Sequence, residues 1–414
     1  MVVNSAGVRR ILLIAYSFEP DVGSEKGVGW IWARMLAEMA EVTVIIAGGP
    51  NDSEAIAIAR RNVAGADRFR IVEVPVQQIL GRDLKSLPVP GADILRYAAW
   101  QYAARRAALR MVKSEHFDLV WHVTWSTGWL GSIGATLGLP FVFGPIAGGV
   151  GPPWRLVPSL GPAGIAREVL RSTMRGVGPR VNPLARASFS RASLILTQNA
   201  DTIAWLPSKV RSRAVLFPNI VLEDLPGHGP GRQPGTPPTA LFAGRVHLWK
   251  GPHLAIEAIA QLDGWRLLVC GVGPATEGLR RRAARLGVSD RVEFLGWMAR
   301  DRLLQLMREA DVLLFPSLHD EGGWVVSEAL ASGLPVICLD RGGPQALGGT
   351  PVRSGTERAT VERLAQAVRE VEEGVVAAEP RDFVTRTAAL KALLEQRGIL
   401  PTPGVGDPPS TARR

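Results

Sequence analysis

The sequence predicts an α/β protein of two doubly wound domains facing a central cleft, each a parallel sheet with helices on both faces. Three observations predict it. Short apolar runs bounded by turn residues alternate with stretches of helical period along most of the chain. At 414 residues the chain exceeds one ordinary domain. A Pro- and Gly-rich stretch without periodicity, Pro226–Pro238, separates two such alternating series.

In the first series the apolar runs place strands at Arg10–Ala15, Val42–Ala47, Phe69–Val74, Leu119–Val123, Pro140–Phe143 and Leu194–Thr197. Helical period is expected at Val28–Met39, Ser53–Arg61, Ala92–Ser114 and Asp201–Leu206. The second series is cleaner. Strands are expected at Thr239–Phe242, Arg266–Cys270, Arg291–Leu295, Val312–Phe315 and Pro335–Leu339. Helices are expected at Pro252–Leu262, Thr276–Leu286, Arg300–Glu309, Val325–Ser332 and Ala359–Glu373, with a last one over Asp382–Gln396. Doubly wound domains bind ligands at the carboxyl ends of their strands, so a ligand in the cleft would touch both domains.

Composition is that of a globular protein with a sizeable core: 46% hydrophobic and 21% charged. Cys270 and Cys338 lie in apolar runs and read as reduced core thiols of a cytoplasmic protein. The formal net charge of +10 invites anionic partners without choosing among phosphorylated substrates, acidic membranes and nucleic acid. The opening MVVNSAGVRRILLIAYSFEP has the look of a signal peptide, but its apolar run is short and no small-residue cleavage site follows; a first buried strand is expected. From Leu119 to Trp154 no Asp, Glu, Lys or Arg occurs, yet Gly, Pro, Ser and Thr interrupt the run repeatedly. A membrane-spanning helix needs ~20 predominantly apolar residues, so strand, loop, short buried helix and strand are expected instead.

The chemistry concentrates in two passages. TALFAGRVHLWKG ends a strand at Gly244 and supplies Arg245 and Lys250 just before a helix. Two cations beside a helix start suit a phosphate ester, although two exposed basic residues on a loop would look the same. DVLLFPSLHDEGGWVVSEALASGLPVICLDRGGP runs from a strand into a loop with Asp320 and Glu321, then Gly322 and Gly323, then a helix carrying Glu328. Backbone N–H groups over Gly322, Gly323, Trp324 and Val325 can cradle an anion. A carboxylate one turn further in can accept hydrogen bonds from the paired hydroxyls of a ribose. A capped helix start accounts for Asp320 equally well.

GRVHLWKG, GVGPATEGLRRRAARLGVSDRVEFLGW, ADVLLFPS and EALASGLPVI together make the C-terminal half resemble the family 4 retaining glycosyltransferases of the GT-B fold, which have two Rossmann-like domains. The resemblance runs nearly continuously from Ala240 to Gly343. It implies transfer of a sugar from a nucleotide-sugar donor to an acceptor hydroxyl with retention, in polysaccharide or glycolipid synthesis, and no metal or other cofactor. It implies that Arg245 and Lys250 bind the donor diphosphate, that Gly244 and Gly271 border it, and that Glu328 binds the ribose. The family's first acidic residue falls on Asp320, where the family usually has Glu; Glu321 competes with it, one residue closer to Glu328. The implied organisation is an N-terminal acceptor-side domain over residues 1–220, a linker over 221–238 and a donor-binding domain over 239–380. A helix over 381–400 would return to the N-terminal domain, and a disordered tail would cover 401–414.

SFEPDVGSEKGVGWIWARMLAEM resembles the glycine-rich loop after the first strand in a subgroup of these enzymes. Gly23, Ser24, Gly27 and Gly29 would there let backbone approach the donor or acceptor; a plain strand–helix connection is the competing reading. His122 stands where the family often has a histidine facing the donor sugar, against a satisfied core histidine. GPIAGG (Gly144–Gly149) resembles a loop bordering the acceptor. Trp30, Trp121, Trp125 and Trp129 read as core rather than sugar platforms. Trp154–Arg191 holds seven arginines and one acid, Glu168, among apolar residues. It offers either a surface for an anionic membrane, on the inner face, or a solvated basic face. Two other classes stay open: a nucleotide-sugar-binding module without transfer, suggested by the departure at Asp320, and a basic nucleic-acid-binding protein. No nucleic acid is expected as partner, because no helix-turn-helix, RNA-recognition or zinc element is present.

Overall fold

A computed structural model describes residues 10–20, 24–48, 56–57, 68–75, 92–222, 227, 235–371 and 382–400. Apolar runs form two parallel sheets. The first contains β1 (Arg10–Ala15), β2 (Glu41–Ile46), β3 (Phe69–Glu73), β4 (Leu119–His122), β5 (Phe141–Ile146), β6 (Leu194–Thr197) and β7 (Ala214–Leu216). Their order is β3-β2-β1-β4-β5-β6-β7, parallel throughout. The second contains β8 (Thr239–Ala243), β9 (Arg266–Cys270), β10 (Val292–Gly296), β11 (Val312–Phe315), β12 (Val336–Leu339) and β13 (Thr350–Val352). Its order is β10-β9-β8-β11-β12-β13, again all parallel. Strand order reverses at β1/β4 and at β8/β11, the switch points where doubly wound sheets open a crevice.

Both sheets are covered on two faces, which is why their strands are continuously apolar. In the N-terminal domain the helix Val28–Ala37 is buried almost all round, with Trp30 and Trp32 fully enclosed. Gly29 is the point of closest approach: a Cβ there would lie 2.2 Å from the Ser17 carbonyl oxygen. The helix is enclosed because a second layer covers it. The helix Phe383–Gln396 crosses back from the C-terminal domain, and Leu390 and Leu394 join the core of Trp30 and Trp32. Arg386 fastens it, its guanidinium 3.9 Å from the Phe217 ring centroid and donating to the Pro218 carbonyl at 2.8 Å.

Several elements differ from expectation. β7 and β13 are three-residue edge strands, largely exposed or half-buried, so no apolar run announced them. β5 continues past Phe143 through Gly144–Pro145, where the loop Gly144–Gly149 was expected to begin; its pairing to β6 shifts register between Phe143 and Ile146, where a missing proline N–H is tolerated. The arginine-rich stretch forms two helices, Gly161–Val181 and Pro183–Arg191. Of the helix expected at 53–61, only Ile56 and Ala57 are described, both helical. Most of the linker and the tail 401–414 lie outside the described residues.

Candidate active site between the two domains

The two domains meet along the carboxyl ends of their strands. A short 3-10 turn, Val157–Leu160, carries Leu156 and Leu160 of the N-terminal half into the C-terminal core. Between the domains lies a cavity of about 440 Å³. Its C-terminal wall is Gly244, Lys250, Phe315 and the loop Asp320–Val325. Its N-terminal wall is Glu25, Trp125, Ser126, Thr127, Gln198 and Asn219.

Lys250 is set by a 3-10 turn, Leu248–Lys250, that Gly251 closes in the left-handed conformation (φ 79°). A Cβ at Gly251 would also meet the Pro316 carbonyl oxygen at 2.1 Å. The ammonium therefore leans over Trp249 and Phe315, 4.6 and 5.2 Å from their ring centroids, and pairs with the Asp320 carboxylate. Both side chains are mostly buried, at 16% and 14% exposure. Beside them the helix Trp324–Ala331 begins at Gly323 (φ 134°), and no side chain caps it. Its N-terminal dipole end is turned to the cavity. A cation and an uncapped helix start on one wall are groups that can hold an anion.

The neighbouring carboxylate has a different task. Glu321 Oε1 accepts from the Val150 amide at 3.2 Å and from the Arg171 guanidinium at 3.3 Å. Its Oε2 accepts from Asn199 Nδ2 at 3.1 Å and from the Thr202 hydroxyl at 3.4 Å. All four donors come from the N-terminal domain, so Glu321 clasps the two domains together. Burial raises its pKa, against the Arg171 charge and these hydrogen bonds, which lower it. The clasp has companions: Gly342 N–H donates to Asp201 at 2.6 Å, Arg341 donates to the Gly151 carbonyl at 3.0 Å, and Glu168 lies 2.7 Å from His319 Nε2.

On the N-terminal wall Glu25 accepts from the Trp125 amide at 2.9 Å and from Asn219 Nδ2 at 3.3 Å. It is open to the cleft, yet so closely surrounded that desolvation pushes its carboxyl up to about 7. Neither Glu25 nor Asn219 stood out in the sequence; a Glu inside a glycine-rich loop was the only available signal.

Residues 228–383 match the family of glycosyl transferases group 1. The chain carries a group 1 glycosyltransferase domain. Over 117 residues it is 39% identical to the D-inositol 3-phosphate glycosyltransferase of Mycolicibacterium smegmatis, 27% of this chain and 25% of that protein. Over 112 residues it is 38% identical to a lipopolysaccharide core biosynthesis glycosyltransferase of Rhizobium meliloti, 27% of this chain and 32% of that protein. The matched stretch spans about a quarter to a third of the length of these curated relatives. Whole-chain likeness comes from solved structures. HepE of Anabaena, crystallised with UDP and glucose, superposes with TM-score 0.56 at 16% identity over 93% of this chain and 99% of its own. Sucrose-phosphate synthase of Thermosynechococcus elongatus superposes with TM-score 0.59 at 17% identity, covering 94% and 98%. At such identities the likeness establishes architecture: two parallel-sheet domains in the GT-B fold.

Within the group 1 domain the structure brings Gly244, Lys250, Asp320, Gly322, Gly323, Trp324 and Val325 to one cavity wall. Arg245 is exposed at the end of β8 and lies outside that wall. Gly271 is a packing glycine: a Cβ there would overlap the Gly244 carbonyl oxygen at 1.9 Å. Glu328 is buried in the second turn of the same helix, 2.7 Å from Arg300 Nε, and burial raises its pKa while that guanidinium lowers it. On the other domain His122 lies beneath the cavity floor, fully buried. Its Nε2 is 3.0 Å from the Tyr97 hydroxyl and 2.9 Å from the Thr124 carbonyl. Desolvation pushes its pKa down to about 4, so the ring is neutral. Gly27 and Gly29 are buried in the helix start, Ser24 accepts from Lys26 N–H at 3.3 Å, and Gly23 lies outside the described residues. Trp30 and Trp121 are core, whereas Trp125 lines the cavity, which corrects the reading of all four tryptophans as core.

Proposed function

We propose that the protein transfers a glycosyl group from a nucleotide diphosphate sugar to an acceptor hydroxyl, with retention of the anomeric configuration. The supporting observation is the wall formed by Lys250, Asp320 and the uncapped start of Trp324–Ala331. In this reading the donor diphosphate displaces Asp320 as the partner of Lys250 and takes the helix N–H groups. Charge that grows on the leaving diphosphate is met by a fixed cation and a fixed dipole. Asp320, released, accepts hydrogen bonds from the donor sugar. Glu328 holds the ribose and Arg245 closes over the phosphates from the rim. No metal or other cofactor has a part in this scheme. The donor pattern agrees with the neighbouring HepE structure, which holds UDP and glucose.

For the acceptor side, the outward face of Gly161–Val181 supports a membrane partner. Its polar residues Glu168, Arg171 and Arg175 turn inward to the cleft, while Ile165, Val169, Leu170, Val177 and Val181 are exposed. Exposed Arg155, Arg167, Arg180 and Arg186 lie along the same segment. This inverted helix suits an anionic lipid surface on the cytoplasmic side, with the acceptor in a glycolipid or polysaccharide pathway. No described helix is long and apolar enough to cross a membrane.

The reading is tested by thermal shift against UDP-, GDP- and ADP-sugars, followed by product analysis with the donor that stabilises the protein. Stabilisation by one nucleotide sugar that is lost in Lys250→Ala and weakened in Glu328→Ala supports it. Indifference of both variants overturns it.

A further inference from the structure

The end of β4 presents to the cavity a residue whose backbone is strained. Trp125 has φ 51°, the only positive φ of a non-glycine residue among the described residues. A bulky side chain in the left-handed region is strained and persists only where surroundings impose it. The surroundings here are explicit. The Trp125 amide donates to Glu25 Oε1 at 2.9 Å, and Asn219 Nδ2 fixes Oε2 at 3.3 Å. Behind the indole stand Tyr16, edge-on at 5.3 Å, and Tyr97, tilted by 32° at 5.4 Å. The result is an indole braced by two tyrosines and a carboxylate beside it, both on the cavity wall facing Lys250 and Asp320. His122, which this strand end was expected to offer, is sealed beneath Tyr97.

We propose that Trp125 and Glu25 form a pyranose subsite: the indole stacks on the apolar C–H face of a sugar ring and the Glu25 carboxyl hydrogen-bonds its hydroxyls. An aromatic face with an adjacent carboxyl matches the two-sided chemistry of a pyranose, apolar on its axial C–H groups and polar around its rim. A carboxylate has about four acceptor positions, and Glu25 uses two on the protein, leaving two for ligand hydroxyls. Its raised pKa adds a donor near neutrality. The ring belongs either to the donor's glycosyl group or to the acceptor. The proposal deepens the transfer reading and rests on it for that assignment, but sugar binding itself can be measured without nucleotide.

The test uses the full chain, with Trp125→Asn, Trp125→Phe and Glu25→Gln. Asparagine tolerates the left-handed backbone, so Trp125→Asn removes the ring with little strain; melting temperatures check that each variant folds. Saturation-transfer NMR with D-glucose, D-galactose and D-mannose reads ring contact directly. Wild-type protein is expected to give signals on the axial C–H protons of at least one sugar. Affinity should fall about fivefold in Trp125→Asn, within the range of an aromatic stack, and recover in Trp125→Phe. Glu25→Gln should weaken binding while leaving the stacked protons the same. A second arm compares thermal shifts by UDP and UDP-glucose. A sugar increment lost in Trp125→Asn assigns the ring to the donor; an unchanged increment together with lost free-sugar binding assigns it to the acceptor. Absence of any sugar signal in the wild type, or equal signals in Trp125→Asn, overturns the subsite. Absence of any nucleotide shift while free sugar still binds overturns the transfer reading and leaves the subsite standing.

Discussion

On the C-terminal wall of the cleft, two neighbouring loops supply nearly all the charged and polar groups. The turn before Gly251 holds Lys250, and the six residues Asp320–Val325 supply a carboxylate, a domain clasp and a helix start. On the N-terminal wall single side chains arrive from the loops after β1, β4, β6 and β7: Glu25, Trp125, Gln198 and Asn219. The first wall is charged and repeats a local backbone geometry; the second is aromatic and polar and exists only once the sheet has assembled. An anion site can be built from consecutive residues, because backbone N–H groups and one cation suffice. A sugar-shaped surface needs groups on several sides and therefore several elements.

The largest effect expected from this contrast is at Lys250. Lys250→Ala should reduce transfer at least about 100-fold, the scale of removing one preorganised charge stabiliser, while the folded protein loses some stability because Asp320 is left mostly buried and unpaired. Asp320→Asn should hurt less, because it leaves the phosphate cation in place. Initial rates with the donor found by thermal shift measure both, and a Lys250→Ala enzyme within a few-fold of wild type would place the diphosphate elsewhere.

Glu321 separates the walls from the clasp between them. Glu321→Ala removes the 3.3 Å pair across the cleft and leaves Arg171 only its 3.7 Å contact with Glu168 in its own helix, and breaking this partly buried link should cost about 2 kcal/mol of stability. Asp320→Ala removes a neighbouring carboxylate that has no bond to the N-terminal domain, so it should not loosen the domains. Chemical denaturation measures the Glu321→Ala loss, and small-angle X-ray scattering compares domain opening in the two variants, since Asp320→Ala also unpairs Lys250 within the C-terminal domain. Equal opening in both, or none in Glu321→Ala, would mean that Glu321 is not the residue joining the domains.

These assignments show what the sequence could disclose. The two sheets were legible because buried parallel strands are continuous apolar runs, and β1, β4, β6, β9 and β11 fall where such runs stand. The edge strands β7 and β13 were not, because half-exposed three-residue strands carry no such run. Lys250 stood out in one short motif and Asp320–Val325 in another, although the 70-residue separation of Lys250 and Asp320 hid that the two pair. His122 is a case in which strand position alone misleads. Residues at a strand end alternate in direction, and His122 turns under Tyr97 while Trp125, three residues on, reaches the cavity. Nothing local to Glu25 or Asn219 announces that the two meet, since 194 residues separate them. The Asp-Glu order at 320–321 gains its reason only from Arg171, Asn199 and Thr202, which lie far off in sequence.

The helix Gly161–Val181 flanks the N-terminal wall, and its exposed apolar stripe has no counterpart in the described helices of the C-terminal domain, where Leu286 is exposed just past the end of Thr276–Arg285. Leu170→Glu should lower binding to vesicles containing anionic phosphatidylglycerol by about tenfold, the worth of one large apolar side chain plus an added like charge. A glutamate at Leu286 should do little. Co-sedimentation with phosphatidylglycerol and with neutral phosphatidylcholine vesicles measures the difference. Wild-type protein that ignores both vesicles removes the membrane partner.

The smallest effect concerns the acid limb of stability, and it again sets the two sides of the N-terminal wall apart. His122 is buried and neutral, its pKa pushed down to about 4 by desolvation from the ordinary histidine value of about 6.5. The unfolded chain therefore binds the proton more readily, and stability is lost as pH falls below about 6.5, continuing to about 4. Glu25 has the opposite sign. Its folded pKa, near 7, lies above the unfolded carboxylate's, so between the two values the folded state holds the extra proton and acid favours it. Replacing His122 by Gln removes the first contribution and leaves the second. The gap in stability between wild type and His122→Gln should narrow by about 0.8 kcal/mol on going from pH 8 to pH 6, the one-proton linkage for an unfolded histidine. Urea denaturation at the two pH values measures it. A gap that widens on acidification would mean that His122 is charged in the folded protein, hydrogen-bonding outward as an imidazolium instead of lying neutral under Tyr97.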